Sequence, residues 1–438
     1  MRATTLASVL GALVVAGPSA AQQTAAGPRD SLRLSTLQAE ALSVDPRRRQ
    51  LGLQAQATTL GLRNLAAERL PAFSGTGQAQ YQSAVTHVAV AVPGITVPTP
   101  PANTIDARLN AQQAILDPSL RAREALEQAQ LGESQAQVHT TLYGLRQEVN
   151  ESFFSALLAQ ERAGQVEATI ADLEARLRET ETRRREGAAT PGDTAAIAAS
   201  LLQRQQDLAQ IRADRRAALN RLSDLVGRSI ADTTPLAIPA MDTTVTRALR
   251  TSIDSLRARP EYRQFTATRE RLERQEAVVA AQDKPRLSAF GRVGFGRPGL
   301  NMLSSEFQSY WLAGVQVQWA PWNWGSTERD RESLAIQRDI VATNEAAFTA
   351  SLRRGVQQSL ATMERLDTTL VLDDRIIALR EQVEQETAAK LRESVVTAAE
   401  YADRATELLA ARLARAQHRV ELAQARAVFL TTIGVDGP

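Results

Sequence analysis

Trp311-Leu312-Ala313-Gly314-Val315-Gln316-Val317-Gln318-Trp319 alternates: Trp311, Ala313, Val315, Val317 and Trp319 fall on one side, Gln316 and Gln318 on the other. Side chains two apart share a face in an extended chain, so the stretch reads as a β-strand. Phe73-Ser74-Gly75-Thr76-Gly77-Gln78-Ala79-Gln80-Tyr81 repeats the plan, with Phe73, Gly75, Gly77, Ala79 and Tyr81 opposite Ser74, Thr76, Gln78 and Gln80. In both stretches aromatics eight positions apart close the ends of a small or apolar face. Eight residues of strand cover about 26 Å before tilt, comparable with the apolar band of an outer-membrane barrel. Phe73, Tyr81, Trp311 and Trp319 are therefore the candidate membrane-interface aromatics. Each strand alone also fits a soluble sheet capping a helical bundle. The glutamine-lined opposite faces, the N-terminus and the missing cysteines favour the membrane. So do two connections between paired strands, the proline-rich Thr86 to Asp106 and the shorter Gly296 to Ser309, which read as external barrel loops.

Outward from the strands the chain is a duplication. Pro46 and Pro71 recur as Pro260 and Pro285, the same distance apart. Asp45-Pro46-Arg47-Arg48-Arg49-Gln50 matches Arg259-Pro260-Glu261-Tyr262-Arg263-Gln264, and Arg185-Glu186-Gly187-Ala188-Ala189-Thr190 matches Arg392-Glu393-Ser394-Val395-Val396-Thr397. Three matches in one order define two structural repeats, 22–228 and 243–438, joined by a linker, 229–242. Each repeat reads helix, strand, loop, strand, very long helix, turn, helix.

The long helices follow from spacing. No proline interrupts Pro118 to Pro191, or Pro321 to Pro438. Leu142, Leu145, Val149, Phe153 and Leu157, then Val166, Ile170, Leu173 and Leu177, recur at threes and fours; Leu352, Val356, Leu360, Met363, Leu366 and Leu370 do so in the second repeat. Roughly 70 residues of helix extend about 105 Å. Helices this long cannot bury their stripes in one compact domain and must lie along other long helices. Gly187, Pro191 and Gly192 mark the first turn, with Asp193 able to cap the next helix. The second turn, Ser394 to Glu400, lacks both breakers and is inferred from the repeat. Gly227 and Gly434 stop the last helix of each repeat.

Composition excludes much. Aromatics are 4% of 438 residues, there is no cysteine, and 51 basic side chains nearly balance 49 acidic ones. No basic patch tracks phosphates, so nucleic acid is not a partner. Without cysteine there are no disulfides, thiolate metal sites or cysteine nucleophiles. Arg2, the apolar run Leu6 to Ala16 and Ser19-Ala20-Ala21 read as a secretory signal peptide over 1–21, cut after Ala21. No later run reaches the roughly 20 apolar residues of a spanning helix. His87, His139 and His418 lack ligand spacing, so neither a metal nor a cofactor is expected, and Asp373-Asp374 reads as a solvated charged face. No phosphate loop or catalytic constellation is present, so the chain does not read as an enzyme.

Four strands cannot close a barrel, and open edges are not tolerated in lipid. Several chains must pool their strands, and eight give an interior just wide enough for side chains, so a solute duct needs more. With Leu116-Asp117 and Trp322-Asn323-Trp324-Gly325 at strand ends, the Gly187 turn and the Leu222…Leu225-Val226-Gly227 close, the chain resembles the TolC-like outer-membrane efflux proteins over essentially all of its mature length. The resemblance implies a mainly α fold with a small β part. Its very long helices form an α-barrel across the periplasm, and its four strands join a homotrimeric 12-stranded transmembrane β-barrel in outer-membrane lipid. It further implies a passive exit duct for drugs, toxic compounds or metal ions, with a periplasmic adaptor protein and an inner-membrane pump of RND, ABC or MFS type. The adaptor-docking turns would be Gly187 and Ala188, and Ser394 and Val395, the second having lost the family's glycine. The periplasmic aperture would carry Glu400 and Asp403. Asp193 reads two ways, as aperture carboxylate or as helix cap. The family's Tyr and Arg latch falls on Leu391 and Val396 and is absent, with Lys390 or Arg392 as substitutes. Two other functions fit the same sequence: an exit duct for type I protein secretion, and a periplasmic coiled-coil tether that transports nothing.

Overall fold

The computed structural model describes residues 31–86, 99–249 and 257–435. The signal-peptide reading of 1–21, His87 and most of the proline-rich loop lie outside them. The elements run α1 (Leu34–Val44), α2 (Arg48–Ala67), β1 (Ala72–Tyr81), β2 (Asn103–Leu116), α3 (Pro118–Arg185) and α4 (Pro191–Val226), then α5 (Asp242–Leu249), α6 (Pro260–Ala281), β3 (Arg286–Arg297), β4 (Gln308–Gln318), α7 (Ser326–Arg392) and α8 (Ala398–Thr432). The order repeats itself. At 68 and 67 residues, α3 and α7 extend about 100 Å each.

Local chemistry sets the helix ends. Asp117 caps α3, its carboxylate accepting from Ser119 N at 2.9 Å, and Pro118 fills the first turn, where its missing N–H costs nothing. Gly227, at φ +69°, closes α4 in the left-handed conformation. Gly434 does the same after α8, at φ +80°. The predicted stripe is the seam: Leu142, Leu145, Val149, Phe153, Leu157, Val166 and Leu173 are buried. α3 packs along α4, α6 and α8, and α7 along α6 and α8. The main core joins both repeats midway, where Phe153 meets Phe154 edge-on at 5.3 Å among Leu37, Leu222, Leu366 and Val420.

The segment between the repeats is built into this core. Ile230, Leu236 and Met241 are buried, and Leu236 pairs with Leu32 in a parallel bridge. It is therefore a structural strap rather than a free tether. The long loops are shorter than read from sequence: Asn103–Asp106 and Gly296–Arg297 already lie in strands, as does Gln308–Ser309, because ladder hydrogen bonds continue past the alternating apolar residues. Asp373 is also not solvated. It is buried and meets His418 Nδ1 at 2.7 Å, while its neighbour Asp374 is exposed and pairs with Arg415. Among the described residues no helix is long and apolar enough to cross a membrane, and no group of three or more His, Cys, Asp or Glu could hold a metal.

Candidate functional site

The four strands form one antiparallel sheet in the order β1-β2-β3-β4, leaving β1 and β4 as edges. Directly paired residues share a face. Phe73 pairs with Ala111, Ala111 with Gly291, and Gly291 with Ala313, so odd-numbered residues line one side of all four strands, up to a bulge near Leu116. That side carries Phe73, Tyr81, Ile105, Leu109, Val293, Phe295, Trp311, Val315 and Val317, all exposed. Phe73 is 79% exposed, Trp311 74% and Val315 64%. The even-numbered side carries Thr76, Asp106, Arg108, Asn110, Arg292 and Tyr310, and through β2 and the first half of β4 it is the more covered of the two. The sheet is inside out: its apolar face is the exposed one.

The polar side is cross-linked. Tyr310 OH donates to Asp106 Oδ1 at 2.5 Å, Arg108 Nη1 donates to Asp106 Oδ2 at 3.0 Å, and Arg292 Nε donates to Asn110 Oδ1 at 2.8 Å. Two glycines make room. The Tyr310 ring lies where a Cβ on Gly294 would be, and the Phe290 ring where one on Gly314 would be. Sequence reading found the odd faces of β1 and β4 but missed those of β2 and β3. There the signal was diluted by Asn103, Gly291 and Arg297 on the apolar side.

The four candidate interface aromatics are exposed but not in matching rows. Phe73 and Tyr81 bracket β1, whereas Trp311 lies across from Val293, Leu109 and Gly75. Trp319 stands one residue beyond β4, where its indole N–H donates to Asp283 O at 3.0 Å. Exposed Trp322 and Trp324 pack edge-on beside it at the helix end, and Phe295 stacks on Phe307 at the loop end.

The far end of the helices holds the other candidates. Both turns use one backbone: Gly187 sits at φ +78° and Ser394 at φ +60°. The two Thr caps differ in what their third residue does. Thr190 Oγ1 accepts from Asp193 N, and Asp193 returns the bond to Thr190 N, a complete capping box. The same carboxylate accepts from Ala398 N at 3.1 Å, across the gap between hairpins. Hydrogen bonds from the Thr190 side chain, then from the backbone of Thr190 and Ala398, hold Asp193 below the usual carboxylate range. Its two oxygens are thus engaged as a cap. Thr397 caps α8 through Glu400 N alone, and the exposed Glu400 and Asp403 make no ion pair among the described residues.

Further bonds at the tip went unread in the sequence. Arg183 reaches across to Leu391 O at 2.7 Å and Ser394 Oγ at 2.6 Å. Tyr401, fully buried, donates to Asp172 Oδ2 at 2.7 Å beneath the Arg176 guanidinium. Burial first, then the Asp172 carboxylate, push its phenol well above the usual range. Leu391 is buried beside Tyr401 and Ile197. Neither Lys390 nor Arg392 bonds across the hairpins among the described residues; Arg392 Nε turns back to Ala388 O. Arg183 sits in a run of three arginines that reads from sequence only as favourable charge at a helix C-terminus.

No family model matches the chain, and no curated protein matches it in sequence. Solved structures do match in shape. CusC, described for its transmembrane channel formation, superposes with a TM-score of 0.70 at 16% identity, over 93% of each chain. VceC, an outer-membrane protein of Vibrio cholerae, gives 0.66 at 15%, over 92% of this chain and 96% of its own. The open state of the Neisseria gonorrhoeae outer-membrane channel MtrE gives 0.66 at 18%, over 92% and 89%. A chain whose order of elements recurs, with hundred-ångström helices and an inside-out four-stranded sheet, therefore has the fold of the TolC-like outer-membrane channels.

Proposed function

We propose that three copies of this chain form a passive outer-membrane duct, the exit of an efflux pump for small molecules such as drugs, toxic compounds or metal ions. The observation that carries this is the sheet: its exposed face is the apolar one. In water that arrangement would expose Phe73, Leu109, Val293, Trp311, Val315 and Val317 at once, far more than a soluble monomer tolerates in one patch. In a bilayer it is the arrangement required. The open edges β1 and β4 are completed when β4 of one copy pairs with β1 of the next, a head-to-tail contact that closes into a ring. Two copies would give eight strands and a filled interior; three give twelve and a water path.

The helices extend this path into the periplasm. The turns at Gly187-Ala188 and Ser394-Val395 face away from the membrane and are the docking points for a periplasmic adaptor. Glu400 and Asp403, repeated three times at the narrow end, attract cations. The chain is not an enzyme, so energy comes from an inner-membrane pump of RND, ABC or MFS type. Export by a signal peptide over 1–21 would place the mature chain in the outer membrane.

The test is extraction and conductance. Detergent-extracted mature protein should migrate as a heat-modifiable trimer and conduct ions in planar bilayers. A stable, water-soluble monomer would overturn the reading.

A further inference from the structure

We propose that Arg292, with Arg108, forms an anion-attracting collar inside the strand duct, a site for small anionic solutes on the way out. This rests on the membrane-duct reading above. Both arginines stand on the even-numbered face, Arg108 across from Gly294 and Arg292 across from Asn110, on adjacent strands. Their neighbours differ: the Tyr310 ring fills the space over Gly294 beside Arg108, whereas Asn110 offers Arg292 only a neutral oxygen.

The charges on that band do not balance. The single carboxylate is Asp106, and it is spent: one oxygen accepts from Tyr310, the other from Arg108. Arg108 uses a second donor on Thr76 Oγ1 at 3.0 Å. Arg292 has only the Asn110 oxygen at 2.8 Å and no carboxylate among the described residues. A guanidinium carries five N–H donors, so most of those on Arg292 remain for a ligand. Farther along the same face, Arg286 stands near Asp117 at 3.7 Å and adds little. Each chain thus places one unmatched cation midway along β3, and threefold repetition brings three together around the axis. Rings of arginine lining a water-filled passage favour anions. The collar is opposite in sign to the carboxylates at the helix tip. A solute leaving the cell would pass a cation-attracting entrance and then an anion-attracting exit.

The test is the permeability ratio of chloride to potassium, read from reversal potentials of the full-length trimer in a salt gradient. Arg292→Gln keeps a donor for Asn110 and leaves the Asp106 cluster intact. It should lower the ratio by several-fold, up to about tenfold, because three charges, each about 10 Å from the axis in a water-filled passage, are removed together and salt screens part of their effect. Arg292→Lys should keep the wild-type ratio. Arg292→His should give a high ratio at pH 5 and a low one at pH 8, within a single variant whose assembly is the same in both measurements. An unchanged ratio in a conducting Arg292→Gln trimer, or a pH-independent ratio in Arg292→His, would overturn the collar while leaving the duct standing. A wild-type trimer that conducts nothing would overturn both.

Discussion

Ser394 holds the left-handed backbone that Gly187 holds in the other repeat, at φ +60° against +78°. An L-residue in this region costs roughly 1–2 kcal/mol, which glycine avoids. Ser394 recovers part of that cost through Arg183, which donates to its hydroxyl. A Cβ on Gly187 would meet nothing within 4 Å, so substitution there isolates the backbone cost. Gly187→Val should speed amide exchange of the α3–α4 turn by about tenfold and impair crosslinking to a periplasmic adaptor, while trimers persist. Wild-type crosslinking would remove this turn from the docking surface.

The Asp193 contact gives the tip an acid limit. Its carboxyl titrates below 3.8 when folded, so the tie to Thr190 and Ala398 contributes stability at and above that value. The contribution declines as pH falls below 3.8 and is gone below the depressed folded value. Spin labels on the two hairpin turns should report a narrow distance at pH 7 that broadens below pH 3.8. Asp193→Asn should broaden it at neutral pH and abolish the dependence.

The two sheet faces should respond oppositely to charge. Val315→Arg places a cation on the apolar face and should destabilise folding into vesicles by about 2–4 kcal/mol, the cost of arginine near a bilayer midplane. Gln316→Arg, one residue on, should cost less than about 1 kcal/mol. Urea titration of vesicle-reconstituted protein measures both. Equal costs would mean that the sheet does not face lipid.

Much of this was legible in sequence, for definite reasons. The long helices announced themselves because Leu142 through Leu177 keep one stripe without proline, and the strands of β1 and β4 because period two is unambiguous. The second turn, with no breaker at Ser394, was visible only through its match to Gly187. What escaped was contact between distant positions. Nothing local says that Arg183 will find Leu391, that Tyr401 will find Asp172, or that Asp373 is buried against His418. Nor does alternation in one strand reveal which side the assembled sheet will cover; the odd-numbered face of β2 and β3 emerged only from register.

The aperture reading has its own measurement. Glu400→Ala combined with Asp403→Ala should lower cation selectivity in planar bilayers, since both carboxylates are exposed and unpaired within the described chain. Asp193→Ala should change selectivity less, its oxygens being held by Thr190 and Ala398. The reverse ranking would exchange the two roles.

Phe153 tests the junction of the repeats. It is fully buried and edge-on to Phe154. Phe153→Ala should cost about 3–5 kcal/mol and lower the temperature at which trimers dissociate. A change under about 1 kcal/mol would show that the surrounding helices collapse into the gap.

The bridge between Leu32 and Leu236 has a bearing on synthesis. Leu32 N donates to Pro235 O, and Leu34, Leu37 and Ala41 behind it are buried on a helix that packs against α3 and α4. A ribosome delivers the amino end first, so these early residues have nowhere to settle until some two hundred later ones have emerged. The opening helix must wait, unsheltered, for its seat to be made, and the nascent chain depends throughout that interval on whatever escorts it.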